Sequence, residues 1–177
     1  MNRRYNQKEW EVDDESRLKF KVTCWHEAGH ALALHLLAYK FEYATAVDLE
    51  KNIDIKGCVS RGENNPFRTD CDALIEKSAG VVAEMLRDDP NISHADAREK
   101  GWTLLNKAGN TDRGQMIDRL LKYPEEELDG EGRKQRILDH LVIALDLIKA
   151  RIDALSCLAS ELEKGLPLSY AQAVVCF

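Results

Sequence analysis

The sequence predicts an α+β fold that is mainly α-helical, with a small strand pair or sheet and a helical bundle ending in a long C-terminal helix. Three observations predict it. Apolar residues recur at helical spacing from Leu18 to Leu37 and through most of the chain after Asp70. Between these stretches, residues 44–60 alternate loosely and gather Val, Ile and Thr. Finally, Asp, Ser or Thr precedes most of the periodic runs, and Gly or Pro follows them. Of the 177 residues, 44% are apolar and 32% charged, which suits one domain with a packed core. Residues 1–17 are expected to form an arm, and residues 18–177 a single domain.

The arm is polar, with Trp10 as its main apolar anchor. Phe20, Trp25, Ala28, Leu32 and Leu36 place a buried helix over 18–37. Two short strands follow, Ala44 to Leu49 and Ile53 to Val59, around the turn signal Glu50-Lys51-Asn52. Residues 60–69 read as a loop. Asp70 or Asp72 can cap the next helix, which Asp88-Asp89-Pro90 ends. Ser93 can cap another, broken by Gly109-Asn110, and Thr111 or Asp112 can open a third. After an acidic loop at 124–132, apolar residues at 138, 141, 145, 148, 152, 155, 159 and 162 predict one long helix from about Arg133 to Lys164. Their alternating spacing suits a core helix of a bundle better than an intermolecular coiled coil, because only some three heptads are present. Gly165 and Pro167 stop it.

A net charge of −6 and a pI near 5.4 argue against binding nucleic acid or an anionic membrane surface. No run reaches 18 apolar residues, so no membrane span is expected. The first residues carry neither an apolar signal core nor an acid-poor transit segment, which points to the cytoplasm. The five cysteines are odd in number and contain no Cys-x-x-Cys. Reduced, mostly buried thiols are therefore expected rather than a disulfide framework or a four-cysteine metal site.

One motif dominates: Cys24-Trp25-His26-Glu27-Ala28-Gly29-His30-Ala31-Leu32. It is His-Glu-x-x-His on a stretch that already reads as helix. Positions four apart lie one turn apart on the same face, so His26 and His30 can reach one ion. Neutral imidazoles at such spacing suit Zn²⁺, and the neighbouring Glu27 carboxylate can take a proton from water. Gly29 costs helix stability, about 1 kcal/mol relative to Ala. It makes sense if another backbone packs close. A third ligand is missing from the motif. His35, His94 and His140 read as structural or solvated. Glu84, in the small-residue run Ala79-Gly80-Val81-Val82-Ala83-Glu84, and Asp112, at a helix start, are the candidates, and spacing does not choose between them.

The chain resembles the peptidase domain of the FtsH-type, ATP-dependent zinc metalloproteases. Val22 to Leu32 is similar to that family's zinc helix, and Ala46-Val47-Asp48-Leu49 with Ser60-Arg61-Gly62 to its strand and Pro-Arg-Gly segment. Ala79 to Glu84 resembles its Gly-x-x-Ala-Glu-Glu helix, and Gly109-Asn110-Thr111-Asp112 its Gly-Ala-Ser-Asn-Asp segment. Leu155 to Ser169 resembles its C-terminal helix and tail, so the likeness runs in order over about 18–172. It implies zinc as cofactor, His26, His30 and Asp112 as ligands, and Glu27 as catalytic base. Glu84 becomes a neighbour that orients a ligating histidine, or an alternative ligand. The sequence departs from the family in lacking a phosphate loop and a membrane anchor. It also departs at Ser60, at Met85 and at Arg113-Gly114.

The expected function is a zinc-dependent metalloendopeptidase that cuts unfolded or flexible polypeptides without ATP in this chain. Its partners would be the polypeptide substrate and a separate ATPase or adaptor. The alternative from another class is a weak or inactive zinc-stabilised interaction module descended from such a peptidase, for which the departures speak. An accidental motif in a helical domain would bind no metal.

Overall fold

The computed structural model describes residues 14–46, 57–62, 65–107, 111–124 and 127–177. The expected arm up to residue 13, the turn at 50–52 and most of the second expected strand lie outside these residues. Mainly helical α+β architecture is what the chain adopts.

Helix α1 spans Asp14–Leu36 and begins four residues before the expected Leu18, with Asp14 and Glu15 in its first turn. Its second half, Ala28 to Leu34, is buried on every side, while the first half lies open to water on several faces. Strands β1 (Tyr43–Thr45) and β2 (Cys58–Ser60) pair antiparallel with Ala44 opposite Val59, so the strand region is real but its described strands are shorter than expected. Helix α2 (Asp70–Asp88) packs along α1. Thr69 rather than Asp70 or Asp72 caps it, its hydroxyl accepting from the Asp72 amide at 3.0 Å. Ser93 caps α3 (His94–Leu105), and α4 spans Thr111–Leu120.

Asp129 caps α5 (Gly130–Lys149), its carboxylate accepting from the Gly132 amide at 2.7 Å, so this helix starts inside the expected acidic loop. The single long C-terminal helix is corrected. α5 ends at Lys149, Arg151 leaves helical geometry at φ −133° and ψ 36°, and α6 (Ile152–Leu162) sets off anew. No Gly or Pro marks the break. Packing explains it: the seam of Leu138, Leu141, Leu145 and Ile148 faces α2 and α3, whereas that of Leu155, Ala159 and Leu162 faces α1. One straight helix would not bury both halves, so tertiary burial overrides local propensity.

A two-residue strand β3 (Leu168–Ser169) then pairs with β1, giving a three-stranded antiparallel sheet in the order β2-β1-β3. A capping box at Ser169 and Gln172 starts the single turn α7 (Tyr170–Ala173), and a 3₁₀ turn at Val174–Cys176 completes the tail. Cys176 is bridged to Cys157 of α6. That corrects the expectation of reduced thiols throughout, and Cys58 and Cys71 are exposed while Cys24 is buried. Composition showed only that five cysteines exist; the tail's return to α6 sets two of them at bridging distance. Among the described residues no helix is long and apolar enough to cross a membrane.

Candidate metal centre

α1 and α2 meet through small residues. At Gly29 a β-carbon would strike the carbonyl oxygen of Ala79 and lie 2.7 Å from the Ala83 β-carbon. At Gly80 it would lie 2.5 Å from His26 Nε2 and 2.6 Å from His30 Nε2. These two glycines bring α2 against the imidazole face of α1 and leave room there for the ring nitrogens.

His26 Nε2 stands 3.0 Å from His30 Nε2 and 3.0 Å from Asp112 Oδ2. The His30 Nε2 to Asp112 Oδ2 distance is 3.3 Å. The start of α4 thus delivers Asp112 to the two histidines of α1. In a tetrahedral shell with bonds of 2.0–2.1 Å, ligand atoms sit about 3.3 Å apart. The observed triangle fits such an ion, and these three are the described residues grouped closely enough to hold a metal. Two imidazoles and one carboxylate suit zinc and iron(II) alike.

The rings are held from behind. His26 Nδ1–H donates to Glu84 Oε1 at 2.7 Å, and His30 Nδ1–H donates to the Glu76 carbonyl at 2.8 Å, with Glu76 Oε1 at 3.2 Å. A carbonyl only accepts, so the His30 proton belongs on Nδ1 and the Nε2 lone pair faces the centre. Glu84 therefore sits behind a histidine, outside the triangle. Lys77 Nζ lies 3.4 Å from Asp112 Oδ1 and 3.3 Å from Glu76 Oε2, anchoring the carboxylate oxygen that points away from the histidines.

Glu27 is buried on α1, its carboxylate packed against Gly57 just before β2. Burial raises its pKa, against the pull of His30 and His26. For the metal-free cluster, burial opposes charge on His26, but hydrogen bonds to Asp112 and Glu84 together outweigh it and hold the ring at about 9. His30 is raised in the same way: burial opposes its charge, and Asp112 and Glu76 prevail. Burial pushes the Asp112 carboxyl up, yet the two imidazoles bring it well below the usual carboxylate range. Burial lifts the Cys24 thiol to about 12, so it offers no thiolate.

The remaining histidines lie elsewhere. His35 Nδ1 is 2.9 Å from the Tyr170 hydroxyl and its ring stacks on Phe177. His94 pairs with Asp146 at the surface, and His140 donates to the Arg136 carbonyl within its own helix. Sequence reading missed Glu76 and Lys77, and took Gly80 only as part of a small-residue helix face. A signal existed: Glu76, Gly80 and Glu84 recur every four residues, one face of α2. Met85, by contrast, is buried in the core and takes no part in the cluster.

No family model matches this chain, and no curated protein matches it.

Proposed function

We propose that this chain is a zinc-dependent metalloendopeptidase acting on unfolded or flexible polypeptides, similar to the peptidase domain of the FtsH-type proteases but with no phosphate loop in its sequence. The observation that carries the reading is the convergence of His26 and His30 of α1 with Asp112 of α4, on the helix that also carries the buried Glu27. The family likeness rests on the quoted segments and their order. Zinc is chosen over iron because the two histidines flank Glu27 in a His-Glu-x-x-His helix.

In this reading His26, His30 and Asp112 hold the ion, which when bound supplies a Lewis acid for the scissile carbonyl and acidifies water. Glu27 takes the proton of the attacking water on its carboxylate and returns it to the nitrogen of the leaving amine. A base that must carry a proton between two steps is served by burial that raises its pKa. Glu84 and Glu76 orient the imidazoles, and Lys77 holds Asp112 in place. Sheet order leaves the outer edge of β2 unpaired among the described residues, next to Gly57 and Glu27. An extended peptide can add to that edge through backbone hydrogen bonds. A separate ATPase or adaptor that delivers unfolded chains would fit such a site. A cytoplasmic address also stays a proposal, and the Cys157–Cys176 bridge argues against it, since bridges persist in oxidising compartments.

Elemental analysis of untagged protein should find about one zinc per chain. Glu27→Gln should keep that zinc and lose cleavage of unfolded casein. If the Glu27→Gln protein cut casein at the wild-type rate, the mechanism would be wrong. Stoichiometric zinc without turnover in the wild type would instead favour the zinc-stabilised interaction module.

A further inference from the structure

Beside the metal centre a cavity of about 810 Å³ opens between β2, the loop after it, and helices α2 and α4. Lys77 is common to both, lining the cavity while its ammonium touches Asp112. Three cations line the space: Arg61, Lys77 and Arg119. Two of them share one aromatic ring. The Arg61 guanidinium lies 3.5 Å from the centre of Phe67, and that of Arg119 lies 5.3 Å from it.

Partners account for most of these charges. Lys77 is met by Glu76 and Asp112, and Arg119 by Asp70 at 3.0 Å. Glu42, an acid in the lining beside Glu76, accepts from the neutral Ser60 hydroxyl at 3.2 Å and keeps its charge. Arg61 donates to the Asn65 carbonyl at 2.6 Å, and among the described residues no carboxylate pairs with it. Burial holds its guanidinium below its ordinary pKa against the pull of the Glu76 carboxylate, and the like charge of Arg119 adds to the fall. A planar fork of donors half-buried beside a second cation is matched by a planar anion. With Glu42 and Glu76 also in the lining, the space carries no surplus of positive charge, and what it offers is the donor fork of Arg61, which suits a singly charged carboxylate better than a doubly charged phosphate.

We propose that this cavity receives a carboxylate of the bound polypeptide, carried on an acidic side chain or at the peptide's C-terminus, with Arg61 as its principal partner and Arg119 as its second. The proposal deepens the peptidase reading and rests on it for the identity of the ligand as a peptide. It makes the site selective for acidic segments or chain ends, with the selecting group within one lysine of the metal ligand.

The test uses the zinc-loaded Glu27→Gln protein and fluorescent unstructured peptides, read by anisotropy. Four peptides share one sequence, with Glu or Gln at a central position and a free or amidated C-terminus. We expect at least one carboxylate to tighten binding by about tenfold over its neutral twin, the worth of a charge-assisted hydrogen bond. Loss of the gap on Glu→Gln assigns the pocket to a side chain, and loss on amidation assigns it to the chain end. Arg61→Gln should reduce the gap below about twofold, and Arg61→Lys should keep part of it. Arg119→Gln, on a different element, should also narrow it and guards against misfolding of the first variant. Equal affinities for all four peptides, or a gap that survives both Arg61→Gln and Arg119→Gln, would overturn the proposal. Wild-type protein that cleaves none of the peptides would count against the peptidase reading and leave the binding gap to stand. Cleavage with equal affinities would do the reverse.

Discussion

Replacing Gly80 by Ala should separate metal binding from folding. The added methyl would fall 2.5 Å from His26 Nε2 and 2.6 Å from His30 Nε2. Ordinary contact needs about 3.5 Å, so the nitrogens would have to retreat by about 0.9–1.0 Å. Metal bonds tolerate only about 0.2 Å. The rings have little freedom to comply, because Glu84 and the Glu76 carbonyl hold them from behind. Removing such a supporting partner alone costs about 10–100-fold in affinity, so direct obstruction should cost at least about 100-fold. Metal-free stability should change far less. Overpacking costs about 1–3 kcal/mol, and Ala recovers about 1 kcal/mol of helix propensity over Gly, leaving a loss of about 0–2 kcal/mol. The assay is zinc titration against a chelating indicator, paired with thermal melts at fixed free zinc. With zinc at a hundredfold excess over the wild-type Kd, the wild type should gain about 2.7 kcal/mol. The variant, at about its own Kd, should gain only about 0.4 kcal/mol. Gly114→Ala is the control: it lies two residues from Asp112 in the same helix, but nothing stands within 4 Å of its added carbon. It should be slightly stabilised and bind zinc normally. A folded Gly80→Ala protein with wild-type zinc affinity would refute the assignment of the centre.

Glu84→Ala should weaken zinc by about 10–100-fold in the same titration while the far-ultraviolet spectrum stays unchanged, because the carboxylate only orients His26. An unaltered Kd would remove it from the centre. Reduction, or Cys157→Ser, should cost about 3 kcal/mol, since the bridge closes a loop with a sequence separation of 19. Melts with and without a phosphine reductant check it, and an unchanged Tm would mean the tail is held by its other contacts. Asp139 is hydrogen-bonded by Arg98 across α3 and α5, which holds its carboxyl below the usual value. A depressed carboxyl stabilises above its unfolded pKa near 3.9 and stops doing so as pH falls through the folded value. Asp139→Asn should therefore cost at most about 0.5 kcal/mol at pH 7, discounted for exposure, and nothing in strong acid. Urea melts across pH would contradict this by showing the larger loss at low pH.

The parts of the centre that local periodicity governs were legible. His26 and His30 are one turn apart, so helix geometry alone predicts that they share a face. Asp112 was not legible in that sense. It arrives from another helix, and only the likeness of Gly109-Asn110-Thr111-Asp112 to a family segment favoured it over Glu84. Caps were readable to within a residue or two, as Thr69 against Asp70 shows. The break at Arg151 carried no signal, because the apolar seam continues unbroken through it and only the change of packing partner turns the chain. Cys157 and Cys176 were invisible as a pair for the same reason. Their meeting depends on a tail that folds back, which no spacing encodes.

That tail also orders events in time. Tyr43 and Ala44 wait for Ser169 and Leu168 before their strand has neighbours on both sides. During synthesis the histidines of α1 and the carboxylate of Asp112 emerge long before the partner of β1 does. If the centre binds its ion as proposed, capture precedes completion of the sheet. A nascent chain stalled ahead of Leu168 would present His26, His30 and Asp112 together with a bare strand edge, a state prone to pairing with other chains. Pairing of Leu168 and Ser169 covers that side of β1 and leaves the outer edge of β2 as the open one among the described residues.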